Sequence, residues 1–169
     1  MRKLIFFSMF VLGINSVFAD DFFAIGEKAF QNGDYRTAFT NYKAGCDASD
    51  AKSCNGLAKL YDLGRGISQD HKEALRLYKQ SCEAGVGSAC CGIGILYKNG
   101  QDIPLNLQEA FKYFKMSCDK NDPQGCVNLG ISYKYGSGTT TDANLAKQSY
   151  QKACDLGSQE GCDLKNTIQ

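Results

Sequence analysis

Eight of the nine cysteines recur with a single period, and this period constrains the fold more than any other feature of the chain. Two sets of four each repeat at intervals of 36 residues: Cys46, Cys82, Cys118 and Cys154, then Cys54, Cys90, Cys126 and Cys162. A fixed period of this length is typical of repeat proteins, in which each unit buries its apolar face by stacking on its neighbours. The chain is therefore expected to form a stack of similar units.

Within each unit, apolar and small residues recur at helical spacing, which predicts two amphipathic helices per unit, a first helix and a second helix. In one unit these residues are Cys126, Leu129, Gly130 and Tyr133, then Ala146, Tyr150 and Ala153. The small residues let the two backbones approach closely, while Tyr and Phe residues fill the flanking space. We interpret the aromatic residues as core packing.

The turn between the two helices also repeats. An Asx residue stands just before each second helix and is expected to cap it: Asp34, Asp70, Asn106 and Asp142. Glu73 and Glu109 follow three residues later as expected capping-box partners. Gly64, Gly100 and Gly136 are expected to end the first helices in the left-handed conformation.

The N-terminus has the three parts of a secretory signal peptide. Arg2 and Lys3 precede an apolar run from Leu4 to Leu12, and a small-residue exit ends at Ala19. Cleavage after Ala19 would remove residues 1–19, and nine cysteines in an exported chain indicate an oxidising compartment. No later segment is apolar over the about 18 residues that a membrane-spanning helix needs. A secreted or periplasmic protein without a membrane span is predicted.

Charge and motif content exclude several classes of function. The chain has 19 Lys and Arg against 18 Asp and Glu, which gives no basic field for nucleic acid. The cysteine spacing exceeds the about two to four residues usual between zinc ligands, and the single histidine, His71, is expected in an exposed turn. No glycine-rich turn precedes the Lys-Ser/Thr of a nucleotide loop. Neither a metal nor a cofactor is predicted.

The repeated pattern Leu-Gly-x-x-Tyr, Gly-x-Gly, Asp-x-x-x-Ala and Tyr-x-x-Ala/Ser-Cys resembles Sel1-like repeats, relatives of tetratricopeptide repeats. Residues 20–167 have Cys-x(7)-Cys at every junction and follow a predicted signal peptide. In both respects they resemble the Helicobacter cysteine-rich protein family. The resemblance implies an all-α fold, a right-handed α-solenoid of helix-turn-helix repeats with inter-repeat disulfides. Residues 20–169 are expected to form one repeat domain, with a tetratricopeptide-like repeat 1 (20–51), repeats 2 to 4 (52–87, 88–123, 124–159) and a cap (160–169).

Each cysteine pair joins the end of one second helix to the start of the next first helix. Any other connectivity would break the equivalence of the repeats, so the period favours four short-range disulfides. These are Cys46–Cys54, Cys82–Cys90, Cys118–Cys126 and Cys154–Cys162. The ninth cysteine, Cys91, is either a half-buried thiol that packs as a small apolar side chain or a reactive or intermolecular thiol.

By analogy with tetratricopeptide repeats, the first helices are expected to line a concave groove. The candidate ligand-binding residues there are Asn55, Lys59, Asp62, Cys91, Lys98 and Lys134. Such surfaces bind peptides or proteins, and the excess of lysine favours a ligand with acidic or carboxylate character.

The family resemblance implies a second activity, because Helicobacter cysteine-rich proteins are classed as penicillin-binding proteins with slow β-lactamase activity. A β-lactam or a peptidoglycan fragment is therefore an alternative ligand. Ser-x-x-Lys occurs at Ser49–Lys52 and at Ser149–Lys152, while the S-D-N and K-T-G elements of serine β-lactamases are missing. Ser49 and Lys52 are the candidates if acylation occurs, and both the enzyme and the binding scaffold stay open.

Overall fold

The computed structural model describes residues 14–168, with side chains described from residue 21. These residues form nine α-helices and no strand. The helices are α1 (Ile14–Gln31), α2 (Tyr35–Asp47), α3 (Ala51–Leu63), α4 (His71–Glu83), α5 (Gly87–Asn99), α6 (Leu107–Asp119), α7 (Pro123–Tyr135), α8 (Ala143–Asp155) and α9 (Gln159–Lys165). The expected all-helical fold is confirmed.

The predicted leader falls mainly on residues 1–13, which lie outside the described residues, and cleavage after Ala19 stays a prediction. Among the helices that are described, none combines the length and the apolar character required to cross a bilayer.

The helices stack as a solenoid of helix pairs. The first helices are α1, α3, α5, α7 and α9, and the second helices are α2, α4, α6 and α8. Each first helix contacts the first helix of the next unit, whereas neighbouring second helices make no comparable contact in the described chain. Because the first helices lie closer together, the stack curves toward them and they occupy its concave side.

One packing arrangement repeats along the core. An aromatic ring of each second helix is buried, in the order Tyr42, Tyr78, Phe114 and Tyr150. A Cβ atom on Gly94 would lie 2.5 Å from the Phe114 ring, so only a glycine allows this approach of α5 to α6. The rings also touch the next unit, since a Cβ atom on Gly92 would lie 2.7 Å from the Tyr78 ring. The rings of Tyr42 and Tyr78 therefore each contact two successive units.

The expected helix caps are present, but the capping boxes are not. Asp34, Asp70, Asn106 and Asp142 all accept a backbone N–H from the first turn of a second helix. The prediction that Glu73 closes a capping box is wrong, because the Asp70 N–H donates to the carbonyl of Tyr61. The Asn106 N–H likewise donates to the carbonyl of Tyr97, which leaves Glu109 without that role. The Glu73 carboxylate instead accepts two hydrogen bonds from the Arg76 guanidinium.

Four disulfides close the junctions between units. They are Cys46–Cys54, Cys82–Cys90, Cys118–Cys126 and Cys154–Cys162. Each joins the last turn of a second helix to the first turn of the following first helix. The inter-repeat disulfides expected from the cysteine period are therefore confirmed, and every stacking interface in the solenoid has a covalent link.

Candidate binding surface

The concave face is formed by the outward positions of α3, α5 and α7. Lys59 and Lys98 are exposed there, and Lys134 is half-buried. Ile95 and Ile131 occupy the position of Lys59 in the two following units and are half-buried. Lys98 and Lys134 follow them by one helical turn. Together these five side chains form a mixed surface of aliphatic and ammonium groups.

Two of the predicted groove residues lie between units and not in an open groove. Asn55 is 6% exposed, and its Nδ2 donates to Oγ of Ser88 on the next first helix at 3.1 Å. Cys91 is 4% exposed, and Nδ2 of Asn128 lies 3.6 Å from its sulfur. Both side chains therefore join successive first helices.

Burial also determines the chemistry of Cys91, the free cysteine of the described chain. Desolvation raises the pKa of the thiol to about 12, although hydrogen bonding from Asn128 and the ammonium groups of Lys98 and Lys59 act in the opposite direction. Thiolate is the nucleophilic form of cysteine, so its near absence at neutral pH favours the packing role over the reactive one.

The carboxylate of Asp62 is engaged within its own unit. The Tyr78 hydroxyl donates to Oδ2 of Asp62 at 3.3 Å, and Nε2 of His71 lies 3.8 Å from Oδ1. Burial raises the pKa of Asp62, and the Tyr78 hydrogen bond and His71 offset part of this rise. The predicted groove residue Asp62 is thus already paired by its neighbours.

The expectation that His71 lies in an exposed turn is wrong. His71 begins α4 and is 5% exposed, and its Nδ1 lies 2.9 Å from Oδ2 of Asp102 in the next unit. Asp102 has a φ of 50°, at a position where the neighbouring units have Gly66 and Gly138 with φ of 72° and 75°. In the part of the chain that the structure describes, no group of three or more His, Cys, Asp or Glu side chains could hold a metal ion.

The lysines of the first helices differ from those of the second helices in their partners. All ion pairs of Lys or Arg with a carboxylate among residues 21–168 lie on second helices: Lys43–Asp47, Arg76–Glu73, Lys112–Glu109 and Lys115–Asp119. On the concave side, the carboxylates of Glu27 and Asp62 accept hydrogen bonds from tyrosines instead. The concave face therefore presents ammonium groups that are not neutralised by neighbouring carboxylates.

A small cavity that the sequence did not predict opens beside Lys98, between α5, α6 and α7. Its volume is about 50 Å³. Leu107, Phe114 and Ile131 supply apolar lining, and Asn128 and Ser132 supply polar lining. The signal in the sequence is that this unit has Phe114 where its neighbours have tyrosine and Lys98 where the preceding unit has Asp62.

The serine and lysine candidates for acylation are not assembled into a catalytic pair. Ser49 lies in the α2–α3 turn with φ 69°, the place that Gly85, Asn121 and Gly157 take at the later junctions. The Lys52 ammonium lies 5.9 Å from the centroid of the Phe23 ring. No hydrogen bond joins Ser49 to Lys52 within the described residues, whereas a nucleophilic serine is normally activated by a hydrogen-bonded base.

The second Ser-x-x-Lys pair serves the backbone. Oγ of Ser149 donates to the carbonyl of Leu145 at 2.8 Å, and the Lys152 ammonium donates to the carbonyl of Cys118 at 2.7 Å. Both groups therefore satisfy carbonyl oxygens of helices, and Lys152 also connects unit 4 to the preceding junction.

Comparison with known proteins agrees with this architecture. The Sel1 repeat family matches residues 51–86, 87–122 and 123–158. A Sel1 repeat protein from Oxalobacter formigenes is 26% identical, with a TM-score of 0.66 over 75% of this chain and 96% of that chain. No curated protein sequence matches the chain.

Two further solved structures are similar. Helicobacter pylori cysteine rich protein B is 26% identical, with a TM-score of 0.60 over 86% of this chain and 96% of that chain. The expected resemblance to the Helicobacter cysteine-rich proteins is thereby confirmed. The protective antigen c5321 of uropathogenic Escherichia coli shares the fold, with 24% identity and a TM-score of 0.75 over 85% of this chain and 32% of that chain.

Proposed function

Because the chain belongs to the Sel1 repeat family, we propose that it is an exported binding scaffold whose concave face holds an extended segment of a partner protein. Sel1 repeats are typically protein-interaction modules, and stacked helix pairs create the extended concave surfaces that such segments need. The observation that carries the proposal is the arrangement of Lys59, Lys98 and Lys134 around Ile95 and Ile131 on this face.

This surface suits a segment that is acidic and partly apolar. The two isoleucines supply aliphatic area that is half-buried in the free protein and becomes buried on binding. The lysines have no carboxylate within ion-pair distance in the described chain, so a partner's carboxylates would meet charges that are not already neutralised. Their attraction would also speed the encounter at low ionic strength.

The disulfides and the interlocked aromatic rings favour a preformed surface. Association costs free energy for ordering loops and side chains, and a scaffold that is rigid before binding reduces this cost. The disulfide at each junction limits the movement of one unit relative to the next, which keeps the lysines of α3, α5 and α7 at fixed spacing.

The four disulfides fit an extracellular or periplasmic protein. Together with the sequence of the N-terminus, they support export with cleavage after Ala19. N-terminal sequencing of the protein secreted from its own host tests this part of the proposal. A first residue of Asp20 is expected, and a chain that retains Met1 would contradict it.

β-Lactamase activity is not part of the proposal, because neither Ser-x-x-Lys pair has its serine hydrogen-bonded to its lysine. Incubation of the oxidised protein with a chromogenic cephalosporin tests for this activity. Turnover above the buffer rate that disappears in Ser49→Ala would show that the protein is a β-lactamase. The Ser149→Ala variant is the matched control, since it removes the serine of the other pair.

Selection of peptides from a displayed random library tests the binding function. We expect the selected peptides to be rich in Asp and Glu, and to lose at least about tenfold in affinity for the Lys59→Glu/Lys98→Glu variant. The control variant, Lys43→Glu/Lys115→Glu, changes the same charge on the second helices and is expected to bind as the unmodified protein does. Equal losses in both variants, or a loss in neither, would rule out the concave face.

A further inference from the structure

Two consecutive units differ at one place on the concave side. In the first of them, the carboxylate of Asp62 receives the Tyr78 hydroxyl and lies near Nε2 of His71. All three residues change 36 residues later: Asp62 becomes Lys98, His71 becomes Leu107 and Tyr78 becomes Phe114. The change therefore removes a half-buried acidic group and both of its polar partners together.

The cavity beside α5, α6 and α7 lies where these three replacements meet. Lys98, Leu107 and Phe114 all contribute to its lining. Phe114 has no hydroxyl to extend into this space, and Leu107 offers no donor. In the preceding unit the equivalent positions hold a carboxylate and its two polar partners, and here a cavity of about 50 Å³ lies beside their replacements.

The polar groups of the cavity wall are mostly engaged with the protein itself. Nδ2 of Asn128 donates to the carbonyl of Gln124 at 3.0 Å, and Oγ of Ser132 donates to the carbonyl of Asn128 at 2.8 Å. The Lys98 ammonium has no ion-pair or hydrogen-bond partner among the described residues. It is the cationic group of this wall, and it is free to pair with an anion.

We propose that this cavity binds a short acidic side chain, an aspartate of the partner segment. The aspartate carboxylate pairs with Lys98, and its methylene group lies against Leu107, Phe114 and Ile131. The partner's carboxylate thereby takes the place of the Asp62 carboxylate in the preceding unit. The ammonium of Lys98 pairs with it, whereas Asp62 is contacted by Tyr78 and His71. The inference rests on the proposed function of the concave face and names the residue type that the face selects at one position.

Size and charge both favour aspartate over other side chains. A cavity of about 50 Å³ admits a short side chain more readily than a long one. An uncharged side chain of the same shape would leave the Lys98 ammonium without its partner.

A fragment titration tests the proposal directly. The probe is N-acetyl-aspartate N-methylamide, added to the ¹⁵N-labelled protein with its disulfides intact. Saturable shifts are expected at the backbone amides of Ile131, Ser132 and Lys98, and the asparagine analogue, which is isosteric and neutral, is expected to bind at least about tenfold more weakly. Equal binding of the two analogues would overturn the proposal.

Variants separate the cavity from the remaining surface. Lys98→Met keeps most of the aliphatic stem and is expected to abolish the shifts, while the control Lys115→Met on α6 leaves them unchanged. A triple variant, Lys98→Asp/Leu107→His/Phe114→Tyr, rebuilds the side chains of the preceding unit and is expected to fold but not to bind the probe. Retention of binding in Lys98→Met would overturn the assignment.

Three further outcomes distinguish the source of the carboxylate and show which of the two proposals fails. Tighter binding of N-acetyl-alanine than of the aspartate probe would assign the cavity to a chain terminus and overturn the aspartate proposal. If library-selected peptides bind the concave face but are insensitive to Lys98→Met, the cavity proposal alone fails. If no peptide is sensitive to the concave variants, the proposed function fails as well.

Discussion

Nδ1 of His71 lies 2.9 Å from Oδ2 of Asp102, and this contact joins the first residue of one second helix to the turn of the next unit. The neighbouring units have glycine at the Asp102 position, where the chain passes close to the backbone at the start of the preceding second helix. Here an aspartate adopts the same left-handed conformation and gains a side-chain contact to a buried ring. The pair is therefore a link between units 2 and 3 in addition to their disulfide.

We expect Asp102→Ala to lower the free energy of unfolding by about 1–3 kcal/mol, because it leaves Nδ1 of the buried His71 unpaired. Chemical denaturation of the oxidised protein measures this. Asp102→Asn is the control, since asparagine tolerates the left-handed conformation and can still contact the ring. An Asp102→Ala variant as stable as Asp102→Asn would show that the contact contributes nothing.

Gly138→Ala is expected to be far more destabilising than Gly33→Ala. Both glycines have positive φ, 75° and 78°, so both variants incur a backbone cost of about 1–2 kcal/mol. A Cβ atom on Gly138 would also collide with the carbonyl of Leu107, whereas nothing lies within 4 Å of one on Gly33. The additional cost is about 1–3 kcal/mol. Equal unfolding free energies for the two variants would mean that the turn does not pack on α6.

Cys91 is expected to be inert in the native protein and reactive only after unfolding. Its burial and its raised pKa, to about 12, both oppose attack on a disulfide reagent. Titration with such a reagent at pH 8 is expected to detect no thiol in the native state and one after denaturation without reductant. Rapid native labelling, or a disulfide-linked dimer on a non-reducing gel, would instead support the reactive thiol.

The Asp62→Asn variant is expected to become more stable relative to the unmodified protein as the pH rises. Burial raises the native pKa of Asp62 above 3.8, so the folded state binds this proton more tightly than the unfolded state. The resulting stabilisation is present below pH 3.8 and is lost as the pH rises through the native pKa. The difference in melting temperature between Asp62→Asn and the unmodified protein should therefore grow over this range. A difference that is independent of pH would contradict the raised pKa.

The sequence predicts those parts of the fold that depend on local patterns. The cysteine period identifies the units and their covalent links, and the Asx column identifies the start of each second helix. Gly94 and Gly130 are recognisable as close-packing positions because the opposing aromatic residues repeat with them. Each of these features recurs in several units, so the prediction does not depend on any single residue.

Features that occur in one unit were predicted poorly, because they depend on which side chains meet across a junction. Asp102 is visible in the sequence only as an interruption of a glycine column, and its contact with His71 needs the stacking geometry. Three of the residues that line the cavity, Lys98, Leu107 and Phe114, differ from those of the preceding unit, and they are adjacent in space but not along the chain. The burial of Asn55 and Cys91 follows from the close stacking of first helices, which spacing alone does not reveal.

The most direct test of the concave binding surface is site-specific photo-cross-linking of a library-selected peptide to a photoreactive residue placed at Ile95 or Ile131. We expect cross-linked product from both positions and none from the same residue placed at Lys115 on the second-helix side. Cross-linking from Lys115 with none from Ile95 or Ile131 would contradict the account.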